Sequence, residues 1–295
     1  MKNIFRMVAI AAIAATSISG AQAAKLVVGG KNFTEQLIMA EMTSQLLHHA
    51  GFDIDKKDGM GSQVVRDAQV NGQVDVYWEY TGTSLITYNH VKKPMNAADT
   101  YKTVKELDAK QGLTWLNPSN ANNTYALAVQ ASNPKTDGLK TLSDLAAAWN
   151  QKDNRPVVAI EAEFGGRPDG LPGLQKEYGF KVSRRDTRSM DVGLTYQALK
   201  NGQVDVAEVF ATDGRIKAFN FRVLKDDKGF FPNYALAPVV RTAVLKAHPE
   251  IEKPLNDLSA KLSDAVLQRL NSEVDVDKKP IVDVAKDFLT TNGLL

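Results

Sequence analysis

Asn71-Gly-Gln-Val-Asp-Val76 returns residue for residue as Asn201-Gly-Gln-Val-Asp-Val206, 130 positions later. Six identities at one offset point to kinship between two halves of the chain, the alternative being a local turn motif used twice. Each copy follows a helix-compatible stretch, Val64 to Val70 and Leu194 to Lys200, and precedes an apolar run suited to a strand. Asn-Gly is a turn former, so it closes the helix, and Val-Asp-Val opens the strand. At the same offset Tyr80 corresponds to Phe210, which places an aromatic ring just beyond each strand. Asp75 and Asp205 hold matching positions and read as caps or braces of their turns. The expectation is an α/β fold of two related lobes, each of about 100–130 residues.

Upstream of the first copy, Lys25-Leu-Val-Val-Gly-Gly30 is a β-prone run ending in two glycines. Thr34 to Ala50 then reads as a helix, with apolar residues at Leu37, Ile38, Met42, Leu46 and Leu47. The loop of such a β-loop-α unit offers free backbone N–H groups and the positive end of the helix to an anionic group. Lys31 sits in it. Ligands of open α/β sheets gather at the carboxyl ends of the strands, so two facing lobes enclose a cleft. Extended segments near Thr124–Gln130 and Phe231–Ala237, the second stiffened by Pro232 and Pro238, are the expected crossings. They divide the chain into a first lobe of residues 24–123 and 235–295 and a second of residues 124–234. From about Lys246 onward the sequence is a charged helical tail, expected to pack back on the first lobe.

Residues 1–23 read as a secretory signal peptide, with Lys2 and Arg6, an apolar stretch from Met7 to Ile18, and Ala21-Gln22-Ala23 before the cleavage point. The apolar stretch is too short to span a bilayer, so a mature chain soluble in the periplasm is expected. The 295 residues carry 36 Lys plus Arg and 34 Asp plus Glu. Two of the basic residues and no acid lie in the first 23, so removing that segment leaves 272 residues with 34 charges of each sign. A neutral chain has no bulk field to hold it on nucleic acid, and no such partner is expected. At 43% apolar and 24% charged the composition is ordinarily globular. The absence of cysteine excludes disulfides, thiol nucleophiles, Fe–S clusters and a lipid-bearing Cys.

Catalytic patterns are missing: there is no Gly-x-Ser-x-Gly elbow, no His-Glu-x-x-His and no Gly-x-x-x-x-Gly-Lys-[Ser/Thr] loop. His48 and His49 are adjacent, so on a helix they point about 100° apart. With His90 and His248 they read as surface or helix-end residues, and no metal site, cofactor or catalytic residue is expected. What the sequence does supply is aromatic. Tyr77, Trp78 and Tyr80 lead into the turn-forming Thr81-Gly82-Thr83, Tyr125 follows Asn122-Asn123-Thr124, Phe210 closes the second repeat, and Tyr234 ends Phe230-Phe-Pro-Asn-Tyr234. Each ring alone fits a packing role. Together they fall where the lobes converge, and rings arranged around a permanent cation attract it through their quadrupoles.

Lys31-Asn-Phe-Thr-Glu-Gln36, Tyr77-Trp-Glu-Tyr-Thr-Gly-Thr83, Phe164-Gly-Gly-Arg-Pro-Asp-Gly-Leu171, Ala211-Thr-Asp-Gly-Arg-Ile216 and Phe230-Phe-Pro-Asn-Tyr-Ala-Leu-Ala-Pro-Val-Val-Arg241 resemble the substrate-binding proteins of glycine betaine/carnitine/choline ABC importers. The resemblance covers essentially the whole mature chain. It implies a two-lobe periplasmic binding protein fold, type II-like, with two crossings and the ligand in the interlobe cleft. It also implies a monomer that delivers a quaternary ammonium osmoprotectant to a membrane-embedded permease and makes no bond. On the same resemblance Tyr80, Tyr125, Phe210 and Tyr234 form an aromatic cage, and Lys31, Thr83 and Arg167 hold a carboxylate. A zwitterion such as betaine needs π-faces at its trimethylammonium end and donors at its anionic end. One departure stands out: where the family commonly carries Tyr, this sequence has Phe210. The alternatives are a receptor for an amino acid or other small zwitterion, in which an acidic group meets a primary ammonium, and a secreted enzyme on the same scaffold.

Overall fold

The computed structural model describes residues 24–93 and 95–295, and the segment read as a signal peptide, residues 1–23, lies outside them. The chain begins with β1 (Lys25–Lys31), α1 (Thr34–His49), β2 (Asp53–Met60), α2 (Ser62–Val70), β3 (Val76–Tyr80), α3 (Thr81–Thr83), α4 (Ala97–Ala109) and β4 (Leu113–Trp115). It continues through β5 (Tyr125–Gln130), α5 (Leu142–Trp149), β6 (Val158–Ile160), α6 (Ala162–Gly166), α7 (Leu171–Tyr178), β7 (Thr187–Ser189), α8 (Val192–Lys200), β8 (Val206–Phe210), α9 (Arg215–Ala218) and β9 (Phe221–Val223). β10 (Leu236–Arg241) precedes α10 (Thr242–Ala247), α11 (Glu252–Ala260), α12 (Asp264–Asp275) and α13 (Ile281–Thr291).

These strands form two five-stranded sheets, ordered β2-β1-β3-β10-β4 and β7-β6-β8-β5-β9. They correspond strand for strand, and the offset of 130 runs through their parallel centres. Val28 pairs with Val76 in the first sheet, and Val158 with Val206 in the second. In each sheet one antiparallel strand lies beside the repeat strand: Leu236 of β10 opposite Tyr80, Tyr125 of β5 opposite Phe210. The repeat therefore belongs to the architecture of both lobes.

Turn chemistry explains why the motif recurs. Asn71 and Asn201 end α2 and α8, and the glycines that follow them take φ of 80° at Gly72 and 68° at Gly202, a region costly for any residue with a Cβ. The aspartates are braces. Asp75 Oδ2 accepts the Val27 N–H at 2.8 Å, and Asp205 Oδ2 accepts the Val157 N–H at 2.8 Å, which ties each repeat strand to its parallel neighbour. Arg241 and Lys135 neutralise them at 2.9 and 2.7 Å.

The chain passes from the first sheet to the second between β4 and β5 and returns between β9 and β10. In the tail, α13 packs along α1, while α12 touches both α1 and α9 and so reaches elements of each half. Trp78, Trp115 and Trp149 are the largest fully buried side chains. Each indole N–H has an acceptor, the Thr43 hydroxyl, the Asp108 carboxylate and the Pro156 carbonyl respectively, as buried donors require.

Candidate functional site

One cavity between the sheets is lined by Lys31, Tyr80, Thr83, Tyr125, Arg167, Phe210 and Tyr234, all seven residues nominated from the sequence. Strand direction brings them there. β1, β3 and β8 deliver Lys31, Tyr80 and Phe210 at their carboxyl ends. β5 and β10 run antiparallel to β8 and β3, so Tyr125, the first residue of β5, and Tyr234, just ahead of β10, arrive at the same edges. Gly82 completes the approach, because a Cβ there would lie 2.7 Å from Tyr234 Cδ1.

The rings are tightly gathered. Tyr125 stands 5.2 Å from Phe210 and 5.6 Å from Tyr234, edge-on to the latter at 87°. Phe33 adds a fifth ring from the first lobe, stacked 5.1 Å from Phe210 and 6.2 Å from Tyr80. Burial holds the phenols of Tyr80, Tyr125 and Tyr234 well above their ordinary pKa, so the rings remain neutral, with electron-rich faces. The lining is folded in on itself: Lys31, Tyr80, Thr83, Tyr125, Arg167 and Tyr234 are all buried. A solute can reach these faces from solvent only when the lobes or the rings part.

The polar end is already paired. Lys31 Nζ donates to Glu79 Oε1 at 2.6 Å, with both side chains buried. Burial lowers the Lys31 pKa, and Glu79 opposes that shift. Arg167 gives Nε and Nη2 to Asp169 at 2.9 and 2.6 Å, and Nη2 also reaches the Thr83 hydroxyl at 3.1 Å across the lobes. Burial works against its charge, yet the Asp169 carboxylate holds its pKa well above normal, and the neutral Tyr125 ring lies 5.3 Å from the guanidinium. Tyr234 donates to the same Asp169 at 2.7 Å. Two N–H groups on Lys31 and those on Arg167 Nη1 make no hydrogen bond among the described residues, and Nη1 lies 3.9 Å from Glu163. The site can therefore offer π-faces on one side and free donors on the other.

Seven further residues of the lining escaped sequence reasoning: Asn32, Phe33, Ser62, Asn123, Glu161, Glu163 and Val192. Phe33 and Asn123 lie inside the motifs at 31–36 and 122–125, each two residues from a nominated position. Glu161 stands 130 residues after Lys31, so extending the repeat offset to that lysine would have found it. Glu163 had no signal. It matters because its Oε1 accepts the Ser62 N–H at 2.7 Å, so a carboxylate on α6 caps α2 of the other lobe, where Gly61 supplies no side-chain cap.

Two α/β lobes joined by two crossings, with a ring-lined cleft between, define the class of solute-binding proteins. Residues 24–291 match the family model described as the substrate-binding domain of ABC-type glycine betaine transport systems, and the chain belongs to that family. A glycine-betaine-binding protein of Pseudomonas aeruginosa is 44% identical, over all of this chain and 96% of that protein. The ergothioneine transport permease/ergothioneine binding protein EgtU of Helicobacter pylori is 37% identical over 91% of this chain and 48% of its own length. A solved structure of a glycine betaine/carnitine/choline ABC transporter protein superposes with a TM-score of 0.71 at 31% identity, covering 91% of this chain and 99% of that one.

Proposed function

We propose that the protein captures a quaternary ammonium osmoprotectant such as glycine betaine in the periplasm and hands it to a membrane-embedded ABC permease, as a monomer and without catalysis. The observation that carries this reading is the convergence of four aromatic rings and three donors in one buried cleft. Tyr80, Tyr125, Phe210 and Tyr234 are assigned to the trimethylammonium end, and Lys31, Thr83 and Arg167 to the carboxylate. The names of the 44% identical relative and of the solved neighbour support the ligand class. The Helicobacter relative, named as permease and binding protein together, supports the partner. Export after cleavage behind Ala23, and lobe boundaries at 123/124 and 234/235, belong to the same proposal.

Calorimetric titration of the mature protein with glycine betaine, carnitine, choline, ergothioneine and a set of amino acids tests it. Binding confined to compounds with a trimethylammonium group is expected. The second reading, an amino-acid receptor, draws on Glu161 and Glu163, which line the cleft and could meet a primary ammonium. Heat from amino acids alone would decide in its favour.

A further inference from the structure

We infer that Glu35 is a positioning residue that couples closure of the lobes to assembly of the ring cage, an inference that rests on the cage reading above. Glu35 stands in the first turn of α1 and is 3% exposed. Its Oε1 accepts the Tyr80 hydroxyl at 2.7 Å and Asn123 Nδ2 at 2.9 Å. Its Oε2 accepts Asn271 Nδ2 at 3.1 Å and the Thr212 hydroxyl. The four donors come from four places: a cage ring at the end of β3, the first crossing, the loop after β8 in the second lobe, and α12. An ionised carboxylate has about four acceptor positions, and all are taken.

Its neighbours reach the same way. Phe33 stacks on Phe210 of the second lobe, and Thr34 donates to Asp275 at 2.9 Å, which in turn pairs with Arg215 of that lobe at 3.2 Å. Asn271 also donates to the Thr212 carbonyl at 2.9 Å. Residues 33–35 thus form a clasp engaged only when the lobes are together. Parting the lobes withdraws Thr212 from the carboxylate and loosens the group that fixes the Tyr80 hydroxyl. Closure and a correctly set Tyr80 then come as one event.

The test uses Thr212→Val, which removes the hydroxyl without touching the cage, Thr212→Ser, which keeps it, and Glu35→Gln. With glycine betaine as probe, Thr212→Val should raise Kd about tenfold, mainly through faster dissociation, while Thr212→Ser stays near the parent. Glu35→Gln should act in the same direction. If Thr212→Val lowers the melting temperature but leaves Kd and dissociation rate unchanged, Glu35 is a structural brace and the inference falls. Should the parent bind no quaternary ammonium compound, the cage reading itself fails. The clasp is then judged by small-angle scattering of the ligand-free proteins: a larger radius of gyration in Glu35→Gln and Thr212→Val supports it, and identical radii overturn it.

Discussion

The phenol of Tyr125 makes no hydrogen bond among the described residues, whereas those of Tyr80 and Tyr234 are bonded to Glu35 and Asp169. Tyr125 therefore gives the cleanest measure of what a ring face contributes. Tyr125→Leu keeps an apolar side chain and removes the quadrupole; with a desolvated cation–π contact of about 2 kcal/mol, betaine affinity should drop about 30-fold by calorimetry. Glu208 offers a second test. It is buried, its Oε1 has no partner among the described residues, and burial, then the nearby Glu161 charge, raises its pKa well above 4.5. The folded protein holds this proton where the unfolded chain has lost it, so stability declines as pH rises from about 4.5 through the folded-state value. Glu208→Gln should flatten that slope in urea unfolding followed between acid and neutral pH; parallel curves would refute it. At this scale the rings could be read from the sequence because they stand beside turns. Glu163 could not, since it meets Ser62 only when α6 is laid against α2.

At the level of elements, the repeat carries strong constraints into two places at once. Gly72 and Gly202 take the same left-handed turn, but a Cβ at Gly72 would also meet the Arg241 guanidinium at 3.3 Å, while the surroundings of Gly202 are open. Gly202→Ala should cost about 1–2 kcal/mol from backbone strain. Gly72→Ala should cost more, because Arg241 must yield while bonded to Asp75; equal losses in thermal unfolding would contradict this. The order of strands in both sheets was only half visible beforehand. The parallel part follows from the helix-turn-strand repeat, but the insertion of β10 beside β3 and β5 beside β8 joins segments far apart in sequence, which no local pattern announces. That exchange of strands is what carries Tyr125 and Tyr234 to the cleft.

For the molecule as a whole, three of the contacts that bridge the halves lie around the cleft: Arg167 to Thr83, Glu163 to Ser62, and Phe33 to Phe210. Since the tyrosine rings and donors of the cleft are buried, capture requires an opened form, and saturating glycine betaine should shift the population toward the compact one. Small-angle scattering should show a smaller radius of gyration with ligand than without; superimposable profiles would count against a hinge. The pairing of Lys31 with Glu79 and of Arg167 with Asp169 has an outcome beyond geometry. Charges neutralised inside the protein and shielded from solvent present little for mobile ions to screen, whereas exposed charges lose their reach as the Debye length falls from about 10 Å to about 3 Å between 0.1 and 1 M salt. Affinity in this cleft should therefore hold nearly constant across that range of ionic strength, so a solute could be scavenged from brine as readily as from dilute medium.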